Sequence, residues 1–189
     1  MQIRLSQLNY HIGNFEENVR KILGEINSAK ADSVDLIVFP ELSVCGYPPR
    51  DFLEFEDFIL KCETAVSEIA KSCIGITAVV GAPVRNTSKN GKRLYNAALV
   101  LSDGGIKQVI KKTLLPNYDI FDEYRYFEPN REFEITEVNG VKIALTICED
   151  LWNVEDPMYI VSPIDELVKL KPQLMINIAA SPFDFSHRE

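Results

Sequence analysis

Apolar positions along the chain fall into two spacings. Phe15, Val19, Ile22, Leu23 and Ile26 recur at helical intervals with Glu and Lys between them, and Phe58, Ile59, Val66, Ile69 and Ala70 repeat that pattern. Gly13-Asn14 punctuates the chain before the first helix, and Asp51 is the expected cap of the second. The other spacing is that of strands. Ile3, Leu5, Gln7 and Asn9 alternate, while Val34 to Phe39 and Ile76 to Val84 are continuous apolar runs, as expected of strands covered on both faces. Leu94 to Ser102 and Ile106 to Lys111 flank Asp103-Gly104-Gly105. Phe133 to Val138 and Val141 to Ile147 flank Asn139-Gly140. Both junctions predict hairpins. A helix over Val161 to Leu170 and a last strand over Leu174 to Ala180 complete the order. This predicts an α/β layered domain with a mixed sheet, and long loops after Phe39, Lys111 and Ile147.

Composition narrows the class. The chain has 189 residues, 46% hydrophobic and 25% charged, enough for one sizeable core. Its net charge of −8, with no basic run longer than Lys111-Lys112, argues against a nucleic-acid partner. No apolar run approaches the roughly 20 residues that span a bilayer, and the first residues lack a signal-like apolar core. A cytoplasmic protein without a membrane partner is therefore expected. The four cysteines form no C-x-x-C pair and there are only two histidines, so no metal site is expected and the thiols are expected to be free.

Three stretches place a reactive side chain at the expected end of a strand. Glu41 follows Val34 to Phe39 and Pro40. A carboxylate held there would be partly desolvated and suited to act as a base; a solvated strand-end glutamate is the plain alternative. Lys112 follows Val109-Ile110 and precedes a Leu-Leu-Pro turn. It could stabilise an oxyanion and favour a thiolate, or be a surface lysine. Cys148 follows Ala144 to Ile147 and precedes Glu149-Asp150, which suits either a nucleophile or a structural cysteine. Cys62 and Cys73 read as core, and Cys45 lies in a Gly-Pro-rich loop. Tyr118, Phe121, Tyr124, Tyr126 and Phe127 crowd one loop, either to wall a pocket or to pack beneath it. No G-x-S-x-G elbow, G-x-x-x-x-G-K-S/T loop or G-x-G-x-x-G run occurs, and a Cys–His dyad would have to recruit His11 or His187.

Taken in order, Pro40-Glu41-Leu42 with Cys45-Gly46-Tyr47-Pro48-Pro49, Leu115-Pro116-Asn117-Tyr118 with Phe121 to Phe127, and Cys148-Glu149-Asp150-Leu151-Trp152 resemble the nitrilase (carbon–nitrogen hydrolase) superfamily. More narrowly, they resemble the N-terminal glutaminase domains of the glutamine-dependent NAD synthetase family. The resemblance implies an α-β-β-α sandwich that associates with further copies through the face carrying the cysteine. It implies Cys148 as nucleophile, Glu41 as general base, Lys112 as the cation near the oxyanion, the backbone N–H of Glu149 as oxyanion donor, and Glu123 as a supporting carboxylate. It places Tyr118 and Trp152 along the glutamine pocket, Ser181 at the substrate's amino-acid end, and a basic partner near Arg188.

The same resemblance implies that residues 1–189 form a glutaminase domain cut short at its C-terminal side, partnered by a synthetase domain of the same polypeptide. No cofactor is expected on these residues; ATP and Mg belong to the synthetase portion. Two rival expectations remain: a free-standing amidase for another small amide, and a non-catalytic fragment or interaction domain.

Overall fold

A computed structural model describes residues 1–153 and 158–181. Strand β1 (Ile3–Leu5) leads to helix α1 (Phe15–Ala31) and strand β2 (Leu36–Val38). A 3-10 turn at Arg50–Glu54 leads into helix α2 (Glu56–Ser72), followed by strands β3 (Thr77–Arg85), β4 (Leu94–Ser102) and β5 (Gly105–Lys111). The short helix α3 (Glu123–Tyr126) precedes strands β6 (Thr136–Val138) and β7 (Val141–Ile147). A 3-10 turn over Cys148–Leu151, helix α4 (Pro163–Lys169) and strand β8 (Leu174–Ile178) follow.

The strands form two sheets rather than the one mixed sheet that periodicity suggests. One runs β1-β2-β3-β4-β5 and the other β6-β7-β8, each combining parallel and antiparallel pairs. Continuous apolar runs cannot reveal this, because a strand under a helix and a strand under a second sheet read alike. The alternation along each strand sorts the two faces. Ile37, Phe39, Ala78, Val80, Ala82, Leu99 and Leu101 pack against Val19, Ile22, Ile26, Val66 and Ile69 of α1 and α2. Leu36, Val38, Val79, Ala98, Val100 and Ile110 pack instead against Ile143, Leu145, Ile147, Ile176 and Ile178 of the second sheet. This is the layering of the α-β-β-α sandwich.

Local chemistry explains where the elements start and stop. The Asn14 side chain accepts from Glu17 N and caps α1, whose first turn is acidic and whose last turn carries Lys30. Asp51 does not cap α2. That helix starts after extended Phe55 without a side-chain cap, and Asp51, five residues before it in the 3-10 turn, accepts a hydrogen bond from the Tyr126 hydroxyl at 2.7 Å. The two hairpins turn at Asp103-Gly104 and Asn139-Gly140, all four at positive φ. The strand expected from Phe133 begins only at Thr136, and its ladder with β7 covers only 136–138. Ser162 caps α4 with Pro163 in its first turn, so that helix begins later than Val161. Gln7 to Asn9 and Ala179-Ala180 leave their strands and border a cleft instead.

Candidate active site

Each reactive residue follows a strand that fixes it. β5 ends at Lys111, one residue before Lys112, and β7 ends at Ile147, one residue before Cys148. Beyond β2, Phe39 N still donates to Val79 O at 2.9 Å, after which Pro40 turns the chain and Glu41 points inward. Two special backbone positions hold these turns. Leu42 and Cys148 have φ of +48° and +46°, a left-handed conformation costly for a side-chain-bearing residue. Gly81 on β3 lies so close beneath the Pro40–Leu42 turn that a Cβ there would sit 2.2 Å from Leu42 N. Only glycine admits that approach.

At the centre is a buried ionic cluster. Lys112 is fully enclosed, and its Nζ donates to Glu41 Oε1 at 2.7 Å and to Glu123 Oε1 and Oε2 at 2.9 and 2.8 Å. Asn96 Nδ2 donates to Glu41 Oε1 at 2.7 Å and to Glu123 Oε2 at 3.3 Å. The Tyr47 hydroxyl donates to Glu123 Oε1 at 3.0 Å. The second oxygen of Glu41 is buried and has no partner among the described residues. A buried carboxylate oxygen with no protein partner among the described residues can accept a proton or a hydrogen bond from a group that enters the site.

The electrostatics follow from this packing. Burial alone would lower the Lys112 pKa, but the charges of Glu41 and Glu123 outweigh it and hold the amine above the ordinary lysine range, firmly as ammonium. Burial pushes the Glu123 carboxyl up; Lys112 opposes that shift and Glu41 adds to it. Cys148 is pushed up to about 12, first by burial and then by Glu41, with Lys112 opposing and Glu123 and Glu149 adding. The thiol therefore rests protonated. Lys112 does pull toward the thiolate, as expected, but burial and then the Glu41 charge outweigh it.

A second carboxylate ties two of the strand ends together. Asp150 Oδ1 accepts from the backbone N–H groups of Thr113 and Leu114 at 3.0 and 2.8 Å, and its Oδ2 accepts from Ile147 N at 3.2 Å. Burial pushes its carboxyl up to about 7 against these hydrogen bonds and the attraction of Lys112. One side chain thus registers the turn after Lys112 against the turn bearing Cys148.

Of the remaining expected residues, Glu149 is buried, with its carboxylate accepting from the Tyr118 hydroxyl at 3.0 and 2.9 Å and from the Tyr159 hydroxyl at 3.3 Å. Ser181 lies with Glu41 and Tyr47 along a cleft of about 450 Å³ at the tips of β1, β2 and β8. Trp152 is 65% exposed at the end of the Cys148 turn and does not close over the cluster. Arg188 and His187 lie outside the described residues. The crowded aromatic loop divides: Tyr126 and Phe127 pack into a small core with Leu42, Cys45, Phe58 and Cys62, whereas Tyr118 and Tyr124 are exposed. Cys45, Cys62 and Cys73 are buried free thiols. Asn96, Tyr47, Asp150 and Tyr159 were not singled out from the sequence. The one local signal was Asn96, a polar residue inside the apolar run Leu94 to Val100.

Comparison with known proteins establishes the family. The carbon-nitrogen hydrolase family profile matches residues 2–170. The chain belongs to the carbon–nitrogen hydrolase family. Among curated relatives of this hydrolase, the glutamine-dependent NAD(+) synthetase of Synechocystis sp. is 40% identical over 189 residues, covering 96% of this chain and 34% of its own length. That of Thermotoga maritima is 36% identical, covering 97% and 30%. The chain thus spans about a third of the length of the curated relatives it matches, and it matches their N-terminal portion. Among solved structures, glutamine-dependent NAD+ synthetase from Acinetobacter baumannii superposes with a TM-score of 0.85 at 34% identity, covering 96% of this chain and 32% of that one. An amidase from Nesterenkonia sp. AN1 shares the fold, with a TM-score of 0.79 at 18% identity, covering 98% and 69%.

Proposed function

We propose that this hydrolase is the glutaminase portion of a glutamine-dependent NAD synthetase, releasing ammonia from the glutamine side chain. The observation that carries the reading is the Glu41 carboxylate: Lys112 and Asn96 hold Oε1, and Oε2 is buried and bare. A base with one anchored and one free oxygen near a protonated thiol is what amide cleavage by a cysteine needs when a carboxylate, rather than a histidine, takes the proton.

In this mechanism Cys148 Sγ attacks the amide carbon of glutamine as Glu41 Oε2 takes the thiol proton. The carbonyl electrons move to oxygen. The resulting oxyanion is stabilised by the Glu149 backbone N–H and by Lys112, which can turn toward it one of the N–H groups that chelate Glu123. Donors of this kind contribute roughly 3–4 kcal/mol each. Glu41 then passes its proton to the nitrogen, the C–N bond breaks, and ammonia leaves a thioester on Cys148. Glu41 next deprotonates water, which attacks the thioester; glutamate leaves and the thiol is restored. Tyr118 and Trp152 flank the bound side chain, Ser181 meets its amino-acid end, and a basic residue near Arg188 is the counter-ion for the carboxylate.

We infer no ATP site on the described residues. Both long helices open on acidic side chains, Glu16 and Glu17 in α1 and Glu56 and Asp57 in α2, which repel phosphates. ATP, Mg and the dinucleotide belong to the remaining two thirds of such an enzyme. The test is Cys148→Ala in the full-length protein. Glutamine-driven ammonia release and NAD formation should be lost, while NAD formation from added ammonium persists. Retained glutamine hydrolysis would overturn the assignment.

A further inference from the structure

Asn96 touches each of the three ionisable residues Glu41, Lys112 and Glu123 at the centre of the cluster. Its backbone carbonyl accepts from Lys112 N at 2.8 Å, and its side-chain nitrogen reaches both Glu41 and Glu123. It is 1% exposed, and its own amide oxygen is buried without a partner among the described residues. That combination is unfavourable for the fold alone. Asparagine is a poor strand former, and an apolar residue like its neighbours Ala97 and Ala98 would leave no bare oxygen. The amide is turned so that its N–H groups meet the two carboxylates, at the expense of that oxygen.

We infer that Asn96 is a positioning residue that fixes the orientation of the Glu41 carboxylate, with one oxygen anchored and the other free. Resting on the glutaminase reading, this adds what the trio alone leaves undetermined. A glutamate held by Lys112 alone can turn about its broad χ3 torsion while keeping that one hydrogen bond. With Lys112 and Asn96 both on the same oxygen, turning the carboxylate plane away strains two hydrogen bonds at once, so the plane is fixed and the second oxygen stays free to take a proton. The second N–H of the amide meets Glu123, so one side chain suits both carboxylates in their ionised form. The charged or titratable groups around this pair are Lys112, Tyr47, Cys148 and Glu149.

The test compares Asn96→Leu, of similar volume without donors, and Asn96→Ser, smaller with one donor, in the full-length protein. Asn96→Leu should lower kcat for glutamine roughly 10- to 100-fold. KM should stay within about threefold, because no substrate contact is removed. The acid limb of the pH–activity profile should move up by about one pH unit, since the carboxylates lose donors that favour their ionised form. Asn96→Ser should shift the same quantities less. Iodoacetamide labelling of Cys148 at neutral pH should slow in the same order. A folded Asn96→Leu protein with unchanged kcat and acid limb, or with its whole loss in KM, would overturn the inference. If the leucine variant does not fold, the serine variant decides by the same criteria. If the wild-type protein does not hydrolyse glutamine, the glutaminase reading fails. The labelling comparison still decides the role of Asn96: slowing supports it, and equal rates overturn it.

Discussion

The faces of β4 and β5 that meet the second sheet change character near the strand ends. Val100 and Ala98 of β4 and Ile110 of β5 lie in the apolar layer between the sheets. The next residues on those faces are Asn96 and Lys112, members of the ionic cluster. The ionic cluster is therefore the top layer of the inter-sheet core, built on the same pleat as the apolar layers below. In the lower layers each buried side chain removes apolar surface from water, about 25 cal/mol per Å². In the top layer one ammonium and two carboxylates are desolvated, and their mutual attraction roughly offsets that cost without adding much net stability. The comparison teaches that the two layers should fail differently: the lower through stability alone, the upper through chemistry, with stability lost as well where a buried charge is left without its partner.

The sharpest break of that distinction comes from Glu41→Gln. It preserves shape and should lower glutamine turnover by about 10²–10⁴, with little change in thermal melting; turnover near wild type would remove Glu41 as the base. Lys112→Met should abolish turnover and also destabilise the fold by roughly 3–5 kcal/mol, because two buried carboxylates lose their cation. Denaturant unfolding measures this, and an unchanged midpoint would place Lys112 outside the ionic core. Leu145→Ala in the apolar layer should cost about 2–5 kcal/mol while turnover per folded molecule is retained; a selective loss of turnover would erase the contrast between the layers.

Two smaller effects concern titration and exposure. The Asp150 carboxyl binds its proton more tightly folded, at about 7, than at its ordinary value of 3.8. Between those values the folded protein holds a proton that the unfolded chain has released. Its contribution to stability therefore falls as pH rises through that window and is level above it. Asp150→Asn should remove that slope from stability measured against pH, and an unchanged slope would contradict the burial of the carboxylate. Trp152→Ala should change stability by less than about 0.5 kcal/mol, since the side chain is exposed. Its effect should appear in KM for glutamine, and an unchanged KM would remove it from the pocket.

Much of this was legible in the sequence because it is local. Apolar runs ending at Phe39, Lys111 and Ile147 announce Glu41, Lys112 and Cys148, and Asn139-Gly140 announces its hairpin whatever it packs against. The pairing of those tips is not local. Glu41 and Lys112 are 71 residues apart, and Asn96 meets Glu41 across 55. Resemblance to a family supplied the trio and Glu123 but gave no reason to single out Asn96 or Asp150, whose roles rest on contacts made only after folding. Division into two sheets was hidden from periodicity, since alternation specifies two faces but not what covers each; the family resemblance supplied it. The expected cap at Asp51 failed for a related reason: a distant hydroxyl, that of Tyr126, uses the carboxylate instead.

The central claim is that Cys148, though protonated at rest, is the one thiol that Glu41 can activate toward a glutamine-shaped electrophile. The direct measurement treats the full-length protein with a glutamine analogue bearing a diazoketone in place of its amide, followed by peptide mass analysis. The account predicts a single adduct, on Cys148, formed much more slowly in Glu41→Gln. An adduct on Cys45, Cys62 or Cys73 in its place, or an equal labelling rate in Glu41→Gln, would contradict it.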